Sequence, residues 1–253
     1  MANRILVKNG KVLTEDKKVL VAELNIPEGE LNITENGSYD VKSYGKVNVE
    51  VEYLDLYQKR FNEYNGYGLF TYYRGSTLDE YMNILDLEGL NTCQYMFTSA
   101  SNLKAINNLD TKDVTTMYSM CNGCSELESV CPLNTDKCDT FYNSFAVCRK
   151  LKIIDLSSLD KATNTSSTNN LASNCNSLTK FIIRKMTKIP TLNANAFDNC
   201  YHFTGTYHKT YNPNSLKDGR IYIPDEWVEQ IKQATNWSTY ADIIVPLSTL
   251  VEE

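Results

Sequence analysis

Apolar residues fall at every second position in Val47, Val49, Val51 and Tyr53, the period of a half-buried strand. Asn36-Gly37, upstream of them, is a turn signal between strands. Nearer the start, Val7-Lys-Asn-Gly-Lys-Val12 has the pattern of a hairpin, and Lys18 to Glu23 that of another strand. Residues 1–53 are therefore expected to form a small β module. From 54 to 88 the pattern is mixed and tyrosine-rich, with Gly66 and Gly68 interrupting any long helix. This stretch reads as a connector and a degenerate first repeat, because the open end of a repeat stack needs an atypical capping unit.

The strongest pattern follows. Segments starting at Cys93, Met117 and Phe141 align in two steps of 24 residues, a fourth starts at Thr168, and a fifth runs from Ala196 to Phe203. Each unit has an apolar residue, then Cys or Ala three positions on, then an apolar residue three after that. These are Phe97, Ala100 and Leu103; Cys121, Cys124 and Leu127; Phe145, Cys148 and Leu151; Ala172, Cys175 and Leu178; Phe197, Cys200 and Phe203. An i, i+3 series predicts one helical turn facing inward, and the Leu-x-x-Ile pattern after it predicts a short strand. One such unit cannot bury its apolar face alone, whereas five stacked units make a continuous core. After the repeats, Ile221-Tyr-Ile223 reads as a strand and Pro224 as a helix start. Trp227, Ile231 and Ala234 then fall on one helical face, and Trp237, Tyr240 and Ile243 continue an apolar surface that would cover the last unit.

Met96-Phe97, Asn174-Cys175-Asn-Ser-Leu178 and Phe197-Asp-Asn-Cys200 match a Met-Phe-x-x-Cys-x-x-Leu-x-x-Leu/Ile signature. On these residues the units resemble BspA-type leucine-rich repeats over roughly residues 89–206. The resemblance implies an α/β fold, a leucine-rich-repeat-like solenoid with a short strand plus a short helix per repeat, used for adhesion and display. It would follow an N-terminal β module (1–53) and the connector (54–88), and would end in a C-terminal helical cap (207–253). Ile33 to Val41, followed by Tyr44 to Val51, is similar to a hairpin element of structural proteins of phages that infect Gram-positive bacteria. The segment from Ile221 to Ile244 is similar to caps that follow such repeats in phage and prophage proteins. These likenesses imply a virion component assembled in the host cytoplasm. Its implied partners are other virion proteins, met through the N-terminal module, a host-surface glycan or protein, and further copies of the chain.

Composition changes this picture mainly by exclusion. The formal net charge is -6 and no basic run exceeds a pair, so nucleic acid is not an expected partner. The first residues lack the apolar core of a secretory signal, and no stretch is long and apolar enough to span a bilayer, so synthesis in a cytosol and no membrane partner are expected. Cys121, Cys124, Cys131 and Cys138 are spaced in a way that invites zinc. The repeat explains three of them without metal: Cys124 corresponds to Ala100, Cys148, Cys175 and Cys200, Cys121 to Phe97 and Phe145, and Cys138 to Val114. A free cysteine behaves as a small buried hydrophobe. Disulfides between successive units are not expected, because helices pack about 8 to 10 Å apart and a disulfide needs Cα atoms within about 7 Å.

Asp110, Asp113, Asp136 and Asp139 recur with the repeat, as calcium ligands would, or as solvated loop residues. His202 and His208 stand in or beside the last repeat, and spacing offers neither of them an orienting carboxylate. No catalytic residue, metal or cofactor is expected, and a hydrolase would need a polar cleft that these residues do not outline. There are 17 tyrosines, and Tyr95, Tyr118 and Tyr142 recur at close to the repeat spacing. Tyrosine is enriched at interfaces, so these three form either an interaction surface or a structural ladder between units. The function expected is that of a non-enzymatic surface component of a phage particle, as a capsid decoration, head fibre, or tail or baseplate appendage. The alternative is a bacterial cell-surface leucine-rich-repeat adhesin.

Overall fold

The hairpin expected at the start of the chain is formed. Strand β1 (Arg4–Lys8) runs antiparallel to β2 (Lys11–Thr14) and, on its other side, to β3 (Gly29–Asn32). The computed structural model describes residues 4–8, 11–14, 29–32, 37–41, 45–49, 51–82, 85–214 and 216–251, so the strand expected at 18–23 and the residue Asn36 lie outside the described residues. Gly37 opens strand β4 (Gly37–Val41), which pairs antiparallel with β5 (Gly45–Val49).

The alternation through Val51 and Tyr53 is not strand throughout. The β4–β5 register runs from Val41 opposite Gly45 to Gly37 opposite Val49. Beyond it, Leu54, Gln58, Lys59, Arg60 and Glu63 are good helix formers. The chain turns into helix α1 (Val51–Tyr64), which covers residues expected in a connector. Phe61 and Gln58 are buried on it. The Gln58 amide donates to Asp86 O at 3.0 Å and accepts from Asp86 N at 2.9 Å, and Tyr57 meets Tyr81 of α2 (Asp79–Met82) edge-on at 5.3 Å. These elements belong to one compact unit, Met1–Asn65 with Thr77–Gly89; the other unit is Gly66–Ser76 with Leu90–Glu253. The boundary drawn at residue 53 thus falls inside α1, and the 54–88 stretch is shared between the units.

In the second unit each repeat is one coil of backbone. The segments expected to be helical are instead series of three-residue turns. Thr98 N–H donates to Tyr95 O and Ala100 N–H to Phe97 O, while the N–H groups between them reach the next coil: Tyr95 to Tyr118 O, Phe97 to Met120 O and Ser99 to Asn122 O, all within 2.8 to 2.9 Å. An α-helix would need every N–H for its own chain; here alternate donors are committed to the neighbouring coil. The same exchange joins Gly68, Phe70 and Tyr72 to the coil of residues 94–98, so Gly66–Ser76 is the first coil. Two positions per coil, four residues apart, take left-handed backbone: Tyr95 and Ser99, Ser119 and Gly123, Asn143 and Val147, Asn170 and Asn174. Asn and Gly adopt that region with least strain, which accounts for their recurrence there.

After the turns come short parallel strands. β6 (Ala105–Ile106) pairs with β7 (Ser129–Val130). A four-stranded parallel sheet follows, in the order β11 (Ile244–Pro246), β10 (Arg220–Ile223), β9 (Lys180–Ile183), β8 (Ile153–Leu156). Phe97, Ala100, Leu103, Cys121, Cys124, Leu127, Phe145, Cys148, Leu151, Cys175, Leu178, Phe197 and Cys200 all have zero exposure and line up in columns through the coils. Burying each large apolar side chain is worth about 1.5–3 kcal/mol, so this core dominates the stability of the unit.

Beyond a short helix α3 (Tyr201–Thr204), the C-terminal segment adds β10 and β11 to the sheet and covers the last coil. Trp237 is fully buried and its indole N–H donates to Pro190 O at 2.8 Å, while Tyr240 packs edge-on against Phe197 at 5.4 Å. The helical face predicted there is shifted: Val228 and Ile231 of α4 (Val228–Ile231) are buried, but Trp227 and Ala234 stay half-exposed. The segment opens as a 3₁₀ turn at Asp225–Trp227, and three residues per turn rather than 3.6 moves the apolar side by about one position. Among the described residues no helix is long and apolar enough to cross a membrane.

Candidate interaction surface

The thiols are the first chemistry to place, and burial disposes of most of them. Cys124, Cys148, Cys175 and Cys200 point their Sγ at the preceding coil, onto Phe97 O, Cys121 O, Phe145 O and Ala172 O at 3.0 to 3.1 Å. Each of those carbonyls also accepts the N–H that closes its own turn, so one oxygen serves two coils. The argument that helix spacing keeps the cysteines apart is corrected, because hydrogen-bonded coils lie at strand spacing, about 4.8 Å. All eight cysteines are nonetheless free. Desolvation raises the thiols of Cys93, Cys121, Cys148 and Cys200 far above the ordinary value and pushes Cys138 up to about 12. A thiol held protonated in this way is a poor nucleophile at neutral pH.

Among the described residues no group of three His, Cys, Asp or Glu gathers as a metal site. The recurring aspartates face lysines or hydroxyls instead. Asp110 pairs with Lys112 at 2.9 Å, Asp113 with Lys137 at 2.6 Å and Asp136 with Lys185, while Asp139 accepts from Thr140 at 2.8 Å. Desolvation pushes the Asp136 carboxyl upward, but hydrogen bonds from Lys185 and Ser157 outweigh it, and the net shift is downward.

One histidine reading is corrected: His202 does have an orienting carboxylate, with Nδ1 2.6 Å from Asp218. Asp218 comes back on a loop that leaves α3 through the left-handed Gly205 and is tied by buried Asn212 to Tyr201 O and Leu216 O. Spacing in the sequence does not reveal that return. His208 lies flat on Tyr201, with centroids 4.9 Å apart. A groove of about 400 Å³, lined in part by Val130, Pro132, Ile153, Ile182, Lys152 and Lys180, opens where β7 and β8 do not pair as a ladder.

The feature that repeats on the surface is aromatic. Tyr95, Tyr118 and Tyr142 form a column, with ring centroids 5.3 and 4.8 Å apart, and the structure adds Tyr67 at 5.6 Å from Tyr95. Tyr67 is 46% exposed and the other three are half-buried. In the structure Tyr67, Tyr118 and Tyr142 each precede a left-handed Gly, Ser or Asn, which places them at equivalent positions of their coils. The column ends at the next coil, where Asn169 takes the equivalent position. Desolvation, then the neighbouring Tyr95 and Tyr142, hold the Tyr118 phenol above its ordinary value. Two residues before Tyr118 and Tyr142 runs a second column, in which Thr92, Thr116 and Thr140 are joined by parallel bridges. Thr92 and Thr116 hydroxyls accept from Gln94 N and Tyr118 N, which fixes the turns that carry the rings.

The family described as "Mycoplasma protein of unknown function, DUF285" matches residues 75–210, more than half of the chain, which therefore belongs to that family. It is a family of BspA-like repeats, in keeping with the resemblance of the repeat motif. No curated protein and no solved structure matches the chain.

Proposed function

We propose that this member of the DUF285 family is a non-enzymatic display protein. In this reading it is a leucine-rich-repeat-like solenoid carried on the surface of a phage particle, as a capsid decoration, head fibre, or tail or baseplate appendage. One observation carries the display role: the repeat commits its thiols to the core and its periodic carboxylates to ion pairs or a hydroxyl, and turns a regular tyrosine and threonine surface outward. The placement on a virion rests on the likeness of residues 33–51 to a phage hairpin element, within which β4 and β5 pair. Other virion proteins would be met through the N-terminal module, and a host-surface glycan or protein through the repeats. A second reading, a bacterial cell-surface adhesin, is favoured by the mycoplasmal description of the family.

Antibody labelling and electron cryomicroscopy of particles purified from an induced culture, with the full chain carrying a C-terminal tag, separate the two readings. Label and extra density on the particles are the expected result. Label confined to the cell surface would overturn the virion placement and support the adhesin.

A further inference from the structure

The columns themselves carry no charge in a chain of net charge -6: Thr92, Gln94, Tyr95, Thr116, Tyr118, Thr140 and Tyr142 are uncharged at pH 7, and the carboxylate beside them, Asp139, accepts a hydrogen bond from Thr140 at 2.8 Å. We propose that the Tyr67, Tyr95, Tyr118 and Tyr142 column, with the Thr92, Thr116 and Thr140 column beside it, is a track for an extended neutral polysaccharide lying along the stack, one sugar to a coil.

Period is the first argument. The rungs are 5.6, 5.3 and 4.8 Å apart because backbone hydrogen bonds set the distance between coils. A ligand that touches several rungs has to repeat at the same interval. A peptide strand presents like-facing side chains about every 6.6 Å, and polyproline II completes a turn about every 9.3 Å, so both lose register within the four rungs. An extended chain of six-membered sugar rings advances by one ring and its bridging oxygen per residue, close to the rung spacing. Chemistry is the second argument. A sugar has apolar C–H groups and a rim of hydroxyls, and the column offers tyrosine ring edges with their phenols, Tyr118 and Tyr142 being stacked on each other, beside the hydroxyls of Thr92, Thr116 and Thr140. Columns built without a cation, with the Asp139 carboxylate against Thr140, also favour an uncharged glycan over an acidic one. Order is the third. The rings are held against one another, Tyr118 and Tyr142 within 7° of parallel, so little side-chain entropy remains to be lost on binding.

The inference deepens the display role and rests on it for its biological setting. Its test uses the purified full-length chain, so a failure of particle labelling and a failure of sugar binding are separate results. The probes are linear cello-oligosaccharides and chito-oligosaccharides, from disaccharide to hexasaccharide, titrated by calorimetry. Affinity is expected to rise with each sugar up to the tetrasaccharide and then to level off. Tyr118→Ala should weaken the tetrasaccharide about tenfold or more, Tyr118→Phe less, and Thr140→Val, which leaves the rings in place, a few-fold. An unchanged thermal transition in each variant separates lost binding from lost fold. The proposal is overturned by no binding at about 10 mM sugar, by affinity independent of length, or by binding that survives Tyr118→Ala. Saturable binding of a polyproline peptide in place of the sugars, or self-association that Tyr118→Ala abolishes, would overturn it as well.

Discussion

Raising the pH should unfold the repeat stack far more steeply than it would an ordinary domain. Cys93, Cys121, Cys138, Cys148 and Cys200 are buried, and desolvation puts their folded pKa well above that of an unfolded thiol, about 8.5. A group raised in this way stabilises the fold fully below the unfolded pKa and loses that contribution as pH climbs towards the folded value, because only the unfolded chain releases the proton. Each thiol then costs RT ln(1 + 10^(pH − pKa)), about 2 kcal/mol at pH ~10, and five of them about 10 kcal/mol. That is of the order of the whole stability of a typical domain, about 5–15 kcal/mol. The expected midpoint of alkaline unfolding lies near pH ~10, with a limiting slope of about 7 kcal/mol per pH unit. Fluorescence of Trp237, buried where the C-terminal segment covers the last coil and read in a Trp227→Phe background, reports the transition, and thiolate absorbance reports ionisation. The two should rise together, and replacing three of the five cysteines by Ala should shallow the slope by about three protons. Thiolate absorbance beyond that of half-buried Cys131, appearing while Trp237 remains buried, would refute the reasoning, since the core thiols would then be ionising inside the fold.

Cys148→Ala should cost about 2 kcal/mol, from lost burial, a small cavity and a weak S–H bond, while Cys148→Ser should cost about 3 kcal/mol because it buries a hydroxyl. Urea midpoints check this order, and a serine variant at least as stable as the alanine variant would mean that the position is kept for its hydrogen bond. Val147 sits at φ 64, so Val147→Asn should raise the urea midpoint by the equivalent of about 1 kcal/mol; a fall would show that its side chain matters more than its strain. Arg184 grips buried Asp155 through Nε at 3.0 Å and a terminal nitrogen at 2.5 Å, so Arg184→Ala should cost about 2 kcal/mol. A loss under about 0.5 kcal/mol would place that pair with ordinary surface ion pairs.

The chain's one-dimensional pattern carries a great deal of this protein. The 24-residue step, the columns through Phe97, Cys124 and Leu127, and the tyrosine recurrence are all readable, because a stack of similar coils turns spacing in sequence directly into alignment in space. The same repetition explains why Cys124, Cys148, Cys175 and Cys200, which are buried, read as core residues. An i, i+3 series, however, fits a helix and a run of three-residue turns equally well. Only the neighbouring coil decides between them, by taking alternate N–H groups such as those of Tyr95 and Phe97. The recurring Asn and Gly at the left-handed positions were the local sign of that choice. Strand β5 could not be bounded from its alternation, because the apolar spacing runs on from Val47 to Tyr53 while the chain passes from β5 into α1. Asp218 reaching His202 and Tyr67 joining the column depend likewise on where the chain returns, which spacing along it does not encode. Periodic burial is thus determined residue by residue, while hydrogen-bond partners are settled only once a second segment has arrived to compete for them.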